Sequence, residues 1–371
     1  MPSLPTYNVG MPPSPSHTPY ATLTPDCVLD ALESVGLVPD GRLLALNSFE
    51  NRVYQVGMDD GPPLVVKFYR PERWSTAAIQ EEHDFTLALA ERELPIVAPL
   101  RFADDATLHE HAGFLFAAYP RRGGRMPEFD DPETLEWMGR FIGRIHAVGA
   151  LEPYVHRPTL DIASFGEESR DFIQAGRSPG RPRNDMPPSG GSSGDFPEQG
   201  APHSWLPVDL LPAWQSVVEQ ALVGVRHCYA RAGQVANLRL HGDCHAGNVL
   251  WTEGTQMRGP HFVDFDDSRM GPAVQDLWML LSGDRATQTR QLSDVLAGYE
   301  DFAEFDRREL HLIEALRTLR LIHHSAWLAR RWDDPAFPAA FPWFDTPHYW
   351  QERILELREQ IALMEEEPLH V

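Results

Sequence analysis

The sequence predicts an α+β chain in two lobes, a β-rich N-lobe followed by a helical C-lobe. Three observations predict it. Short β-branched and aromatic runs separated by turn residues crowd residues 40 to 120. Apolar residues at helical spacing dominate from residue 121 onward. A 42% apolar composition with ten Trp in 371 residues supplies material for a substantial core.

Residues 1–21 are rich in Pro, Ser and Thr without periodicity and predict a disordered tail. The N-lobe is predicted over 22–120. It opens with a helix in "TPDCVLDALESVGL", with Thr24 as N-cap and Pro25 at the first helical position. Arg52 to Val56 and Leu64 to Tyr69 are strand-like, and "MDDGPP" between them marks a hairpin turn. A helix follows in "TAAIQEEHDFTLALAERELP", capped by Ser75 or Thr76 and stopped by Pro95. "IVAPLRFA", "TLHEHAG" and "GFLFAAYP" are predicted as further strands. The C-lobe is predicted over 121–371. Its first helix, "DPETLEWMGRFIGRIHAVGAL", aligns Leu135, Met138, Ile142 and Ile145 on one face. Residues 176–204 hold six Gly, six Pro and five Ser but no Leu, Ile or Val, which predicts a disordered insertion. Helices resume at "LPAWQSVVEQALVGVRHCYARAG" and again from about 273 to 366, where Leu316, Leu319, Leu321 and Trp327 form a core stripe. "FPAAFPWFDTPHYW" is expected to pack as a loop, and Glu365 to Glu367 to end a helix in solvent.

A formal net charge of −22 speaks against nucleic acid or an anionic membrane as partner. No apolar run reaches the roughly 18 residues of a membrane helix. The N-terminus lacks the basic start and apolar centre of a signal peptide, and three well-separated Cys fit a reducing compartment, so the cytoplasm is expected.

Chemistry concentrates in "LRLHGDCHAGNVLW". His241, Cys244 and His245 are metal-ligand types, but zinc wants about four ligands in paired spacings, and no second pair lies nearby. A thiol catalyst would need a base and an activating environment that nothing in the sequence indicates. The third option is the H-x-D-x-x-x-x-N loop of kinases, here His241, Asp243 and Asn248. D-x-x-x-x-N alone is expected by chance on the order of 0.4 times in such a chain, and about 0.02 times once the His is required. The next element decides. "HFVDFDD" ends an apolar strand with Asp264, sixteen residues past Asn248, where a kinase places its second metal-binding aspartate. Two hard oxygen donors, from Asn248 and Asp264, suit Mg²⁺ on nucleotide phosphates. Lys67 ends Leu64-Val65-Val66 and is the only Lys in the chain, a compact cation suited to a phosphate oxygen. The helix after it offers Glu81 and Glu82 as its partner. In place of a glycine-rich loop stands "LNSFENRVYQV", where Ser48 is a candidate phosphate contact and Asn47, Glu50 and Asn51 also fit plain turn chemistry.

These segments resemble the aminoglycoside-phosphotransferase-like kinases. "NSFENRVYQV", "VVKFYRPERW", "EEHDF", "LRLHGDCHAGNVLW", "FVDFDD", "GPAVQDLWMLLSGD" and "RRWDDPAFPAAFPWF" carry the likeness over residues 22 to 368, and the segments flanking the core motif point to the protein-kinase branch. The resemblance implies a bilobal protein-kinase-like fold with the ATP site between the lobes. It makes Asp243 the catalytic proton acceptor, and Asn248 and Asp264 the Mg²⁺ ligands, with Asp264 also an active-site residue. Lys67 becomes the phosphate lysine and Ser48 a nucleotide-site residue. Glu82 is the helix partner, by its distance from the Pro of "ELPIVAP". Asp276 in "AVQDLW" becomes a structural brace of the catalytic loop. The implied activity is that of an ATP- and Mg²⁺-dependent serine/threonine protein kinase in the cellular stress response, monomeric, with protein substrates. A small-alcohol kinase of the same fold, acting on homoserine, choline or an aminoglycoside, is the alternative. A pseudokinase used as a binding module is a third, opposed by the intact Asp243, Asn248, Asp264 and Lys67.

Overall fold

A computed structural model describes residues 19–176, 204–253 and 258–371. Residues 1–18 of the predicted tail and 177–203 of the predicted insertion lie outside the described residues. Tyr20, assigned to the tail by composition, belongs to the N-lobe. Its ring stacks on Phe114 with centroids 5.9 Å apart, the Arg52 guanidinium lies over it, and its hydroxyl donates to the Glu50 carbonyl at 3.0 Å.

Helix α1 (Pro25–Ser34) begins where capping chemistry places it, with the Thr24 hydroxyl accepting the Cys27 N–H at 3.2 Å. The strands β1 (Pro39–Ala45), β2 (Arg52–Met58), β3 (Leu64–Phe68), β4 (His109–His111) and β5 (Phe114–Pro120) form one antiparallel sheet in the order β1-β2-β3-β5-β4. Strand β3 is central, and its register sets Lys67 opposite Val53 and Ala117. Side chains alternate, so Val66 and Phe68 join Val28, Ala31 and Leu32 of α1 in one apolar cluster. Lys67 takes the other face, towards α2 (Thr76–Ala90), which Ser75 caps by accepting the Ala78 N–H.

"IVAPLRFA" does not form the predicted strand. Pro99 within it and Pro95 just before it lack the N–H a ladder needs, and its pairing with strands is confined to an isolated parallel bridge from Ile96 to Phe262 and a bond from Leu100 N–H to the Ala118 carbonyl.

The remaining chain is mainly helical: α3 (Pro132–Gly149), α4 (Glu168–Ala175), α5 (Leu211–Ala232), α6 (Val274–Trp278), α7 (Arg285–Tyr299), α8 (Ile313–Arg331), α9 (Ala336–Ala340) and α10 (Pro347–Glu365). Two small pairings interrupt it between α5 and α6. Strands β7 (Val249–Glu253) and β8 (Arg258–Phe262) form a hairpin, and β6 (Leu238–Arg239) pairs with β9 (Met270–Gly271). Leu135, Met138, Ile142 and Ile145 are all buried, as the helical spacing predicts. Burial of such side chains stabilises the lobe by roughly 2 kcal/mol each. Helices α3 and α7 meet at Gly139, where a Cβ would overlap the Val295 carbonyl. Of the predicted α8 stripe, Leu316 and Leu319 are buried while Leu321 and Trp327 are half-buried against the same core. Among the described residues no helix is long and apolar enough to cross a membrane.

Candidate active site

A cleft of ≈ 1090 Å³ lies between the sheet and the helical lobe, and Ser48, Lys67, Glu82, Asp243, Asn248 and Asp264 all line it. They arrive from five places: the β1–β2 turn, β3, α2, the loop between β6 and β7, and the turn after β8.

The β6–β7 loop is held from beneath by Asp276 of α6. Its carboxylate accepts the N–H groups of His241 at 2.7 Å and Gly242 at 2.9 Å, and lies 3.1 Å from His146 Nε2. Gly242 sits at φ 86° against the Asp267 carbonyl, a position where any Cβ would clash. His241 serves the loop rather than a ligand. Its Nε2 lies 2.9 Å from the Val263 carbonyl, and its Nδ1 accepts the Asp243 N–H at 3.3 Å. Cys244 is buried in the apolar core, and burial pushes its thiol well above the usual range. This is the opposite of what a thiolate nucleophile needs.

Asp243 reaches the cleft. Burial alone would raise its carboxyl, but a hydrogen bond from His245 and the Arg320 guanidinium outweigh that and hold it well below the usual carboxylate range. Arg320 Nη1 donates to Asp243 Oδ1 at 2.6 Å. Asn248 donates its Nδ2 to the Asp243 carbonyl at 2.9 Å, which leaves its side-chain oxygen as the available donor atom for a cation. Asp264 has φ 61°, a left-handed backbone conformation uncommon outside glycine and concentrated at functional sites. A carboxylate oxygen there and the Asn248 amide oxygen are a hard-donor set of the kind that takes Mg²⁺ with phosphate oxygens completing the shell.

Lys67 is buried, and its Nζ lies 3.0 Å from Asp264 Oδ1, 3.8 Å from Glu82 Oε1 and 3.8 Å from Asp266 Oδ1. Burial alone would lower its pKa, yet Asp264, Glu82 and Asp266 hold the ammonium well above the usual range. It is therefore a permanent cation. Glu82, not Glu81, is the lysine's neighbour. Glu81 turns to the other side of α2, where its carboxylate accepts the N–H groups of Val155, His156 and Arg157 at 2.6 to 3.0 Å. Ser48 lines the cleft with its hydroxyl donating to the Asn51 carbonyl at 3.0 Å, and Asn51 accepts the Arg70 N–H on its side chain.

Several residues that shape this site escape sequence reasoning. Arg157 fixes Glu82 by a 2.8 Å bond to Oε2 and donates to the carbonyls of Ala78, Asp266 and Ser268. Arg73 pairs with Asp266 and Asp267. Glu50, at the tip of the β1–β2 turn, accepts from Trp327 Nε1 at 2.6 Å and from Arg331 Nε at 2.6 Å, tying the turn to α8. No local motif announces any of them. Each partner lies tens to hundreds of residues away in the chain.

A two-lobed cleft lined by this aspartate, amide and lysine set fits the class of the phosphotransferases. The chain belongs to the Phosphotransferase enzyme family (APH), whose pattern matches residues 42–313. It is 42% identical over 352 residues to the serine/threonine protein kinase RdoA of Salmonella typhimurium (strain LT2), covering 95% of this chain and 97% of that protein. Stress response kinase A of Escherichia coli (strain K12) is similar to the same extent, 42% identical with 95% and 97% covered. Among solved structures, the amicoumacin kinase hAmiN in complex with AMP-PNP, Ca²⁺ and Ami superposes with TM-score 0.65 at 18% identity, covering 93% of this chain and 95% of that one. The microcompartment-associated aminopropanol kinase superposes with TM-score 0.62 at 15% identity, covering 91% and 96%. These two structures share the fold.

Proposed function

We propose that this protein is an ATP- and Mg²⁺-dependent serine/threonine protein kinase, acting in the cytoplasm as a monomer in a stress response. One observation carries the reading: Lys67 of β3, Asp243 and Asn248 of the β6–β7 loop, and Asp264 after β8 converge on one cleft. The choice of a protein acceptor rests on the 42% identical relatives, both named as kinases of that kind or of stress response. The small-alcohol alternative is supported only by structures at 18% identity or less.

The N-lobe, residues 22–120, holds the nucleotide, and the helical lobe, 121–371, carries the transfer loop. Asn248 and Asp264 would hold Mg²⁺, which would supply charge neutralisation at the phosphates. Lys67, fixed by Glu82, grips a phosphate oxygen, and the β1–β2 turn with Ser48 covers the phosphates. Asp243 accepts a hydrogen bond from the substrate hydroxyl and aims that oxygen in line at the γ-phosphorus. As the new O–P bond forms, the bond from the γ-phosphorus to the β–γ bridging oxygen breaks and ADP leaves with that electron pair. The hydroxyl proton passes to Asp243. The main work of Asp243 is orientation, with the proton moving late, as a loose phosphoryl transition state allows.

The test uses purified protein, labelled ATP and Mg²⁺, offered a generic basic protein and, separately, a pool of small alcohols. Label on protein Ser or Thr that falls by about 10²–10⁴-fold in Asp243→Asn is expected. Label on an alcohol alone would overturn the protein-kinase assignment.

A further inference from the structure

The cleft holds more cations than the reading above uses. Arg73, Arg269 and Arg331 are each held by carboxylates other than the catalytic one. Arg73 pairs with Asp266 and Asp267, Arg269 with Asp267, and Arg331 with Glu50. Lys67 is shared among Glu82, Asp264 and Asp266. Arg122 and Arg330 also line the cleft, and Arg320 of α8 differs from all of these in its bond to Asp243. Among the described residues its hydrogen bond is to Asp243 Oδ1 at 2.6 Å, the atom group that an acceptor hydroxyl must itself engage. Its side chain is 45% exposed and that of Asp243 21% exposed, so the guanidinium has solvent to swing into.

Resting on the phosphotransferase reading, we propose that Arg320 is a further catalytic residue: the acceptor hydroxyl takes its place on Asp243, and the freed guanidinium moves onto the phosphoryl group in flight. The geometry makes the exchange a local one. A hydroxyl hydrogen-bonded to Asp243 stands within about 3 Å of that carboxylate, so the displaced guanidinium is a neighbour of the attacking oxygen and of the phosphorus in line with it. Charge spreads over the equatorial oxygens of the transferring group in the transition state, and a planar guanidinium donates two N–H groups to such oxygens at once. The same residue has a second effect. Before an acceptor arrives it covers Asp243, so water meets an occupied carboxylate and not a free one.

The test compares the full chain with Arg320→Gln, Arg320→Lys and Arg320→Ala, using labelled ATP, Mg²⁺ and the basic-protein acceptor. Arg320→Gln is expected to lower kcat by about 10²–10³-fold. The KM for ATP and the melting temperature should stay close to those of the unaltered protein, because Lys67 and the core are untouched. Arg320→Lys should retain an intermediate kcat, and added guanidinium ion at millimolar concentration should restore part of the Arg320→Ala rate. A kcat for Arg320→Gln within about threefold of the unaltered protein overturns the assignment. So does an Arg320→Lys protein as slow as Arg320→Gln combined with no guanidinium rescue, since that pattern marks a role in shape alone. An unaltered protein that binds ATP but transfers phosphoryl to nothing overturns the proposed function itself, and is distinguished by needing no variant to show it.

Discussion

Replacing Asp276 by Asn tests whether one buried carboxylate holds the loop that carries Asp243. Asp276 is 1% exposed and accepts the backbone N–H groups of both His241 and Gly242, at 2.7 and 2.9 Å. An Asn keeps the shape but offers one acceptor oxygen and one NH₂. One loop N–H must then face a donor, and the other loses a charged partner. Hydrogen bonds to charged groups contribute about 1.5–3 kcal/mol, and an orphaned buried donor costs about 1–3 kcal/mol, two overlapping effects that together predict a loss of about 2–4 kcal/mol. The loop has little freedom to escape, because Gly242 already lies against the Asp267 carbonyl at φ 86°. Thermal unfolding should shift down by roughly 3–5 °C. Displacement of Asp243 by even an ångström should lower kcat by about 10²-fold, with a smaller change in the KM for ATP. The two readouts belong to one cause. An Asp276→Asn protein that melts within a degree of the unaltered protein and keeps its kcat would refute the brace.

The paired variants Glu82→Gln and Glu81→Gln separate two adjacent carboxylates. Glu82→Gln leaves Lys67 and Arg157 without their common anion and should lower kcat/KM for ATP by at least about tenfold. Glu81→Gln weakens the seat of residues 155–157 and should leave steady-state ATP kinetics within about threefold while lowering the melting temperature. Equal kinetic losses in the two variants would place the lysine's partner elsewhere. Glu309 supplies a pH test. Burial raises its carboxyl from the usual 4.5 to about 7, while its Oε2 accepts the Val274 N–H. The folded state thus binds a proton more tightly than the unfolded state, so stability should fall as pH rises from about 4.5 through about 7 and stay flat above, by about 3 kcal/mol for this group. Urea unfolding of Glu309→Gln at pH 5 and pH 8 should lack that component of the slope, and an unchanged slope would assign it to other groups.

How far the chain declares its site depends on the distance over which each signal is written. Lys67, Asp243, Asn248 and Asp264 are set by local rules, strand alternation in one case and fixed spacing about a turn in the others, and all four meet in the cleft. Glu82 was legible by a second route as well. Ala78, Ile79, Glu82, His83, Phe85, Thr86 and Leu89 are the buried residues of α2, and Glu81 falls outside that set. "IVAPLRFA" misleads because its apolar run resembles a strand while Pro99 inside it and Pro95 just before it remove ladder donors. Arg157, Arg320 and the Glu50–Arg331 tie are a different matter. Each is one of many arginines in a chain with 32 basic residues and a single Lys, so residue type gives no contrast. Each finds its partner across 75 or more residues of chain, Glu82 from Arg157, Asp243 from Arg320, and Glu50 from Arg331. A lone lysine on a strand is conspicuous because nothing else in the sequence is like it. An arginine becomes conspicuous only when folding sets it beside the one carboxylate that a substrate must share, and that selection is made inside the helical lobe, where α8 meets the β6–β7 loop.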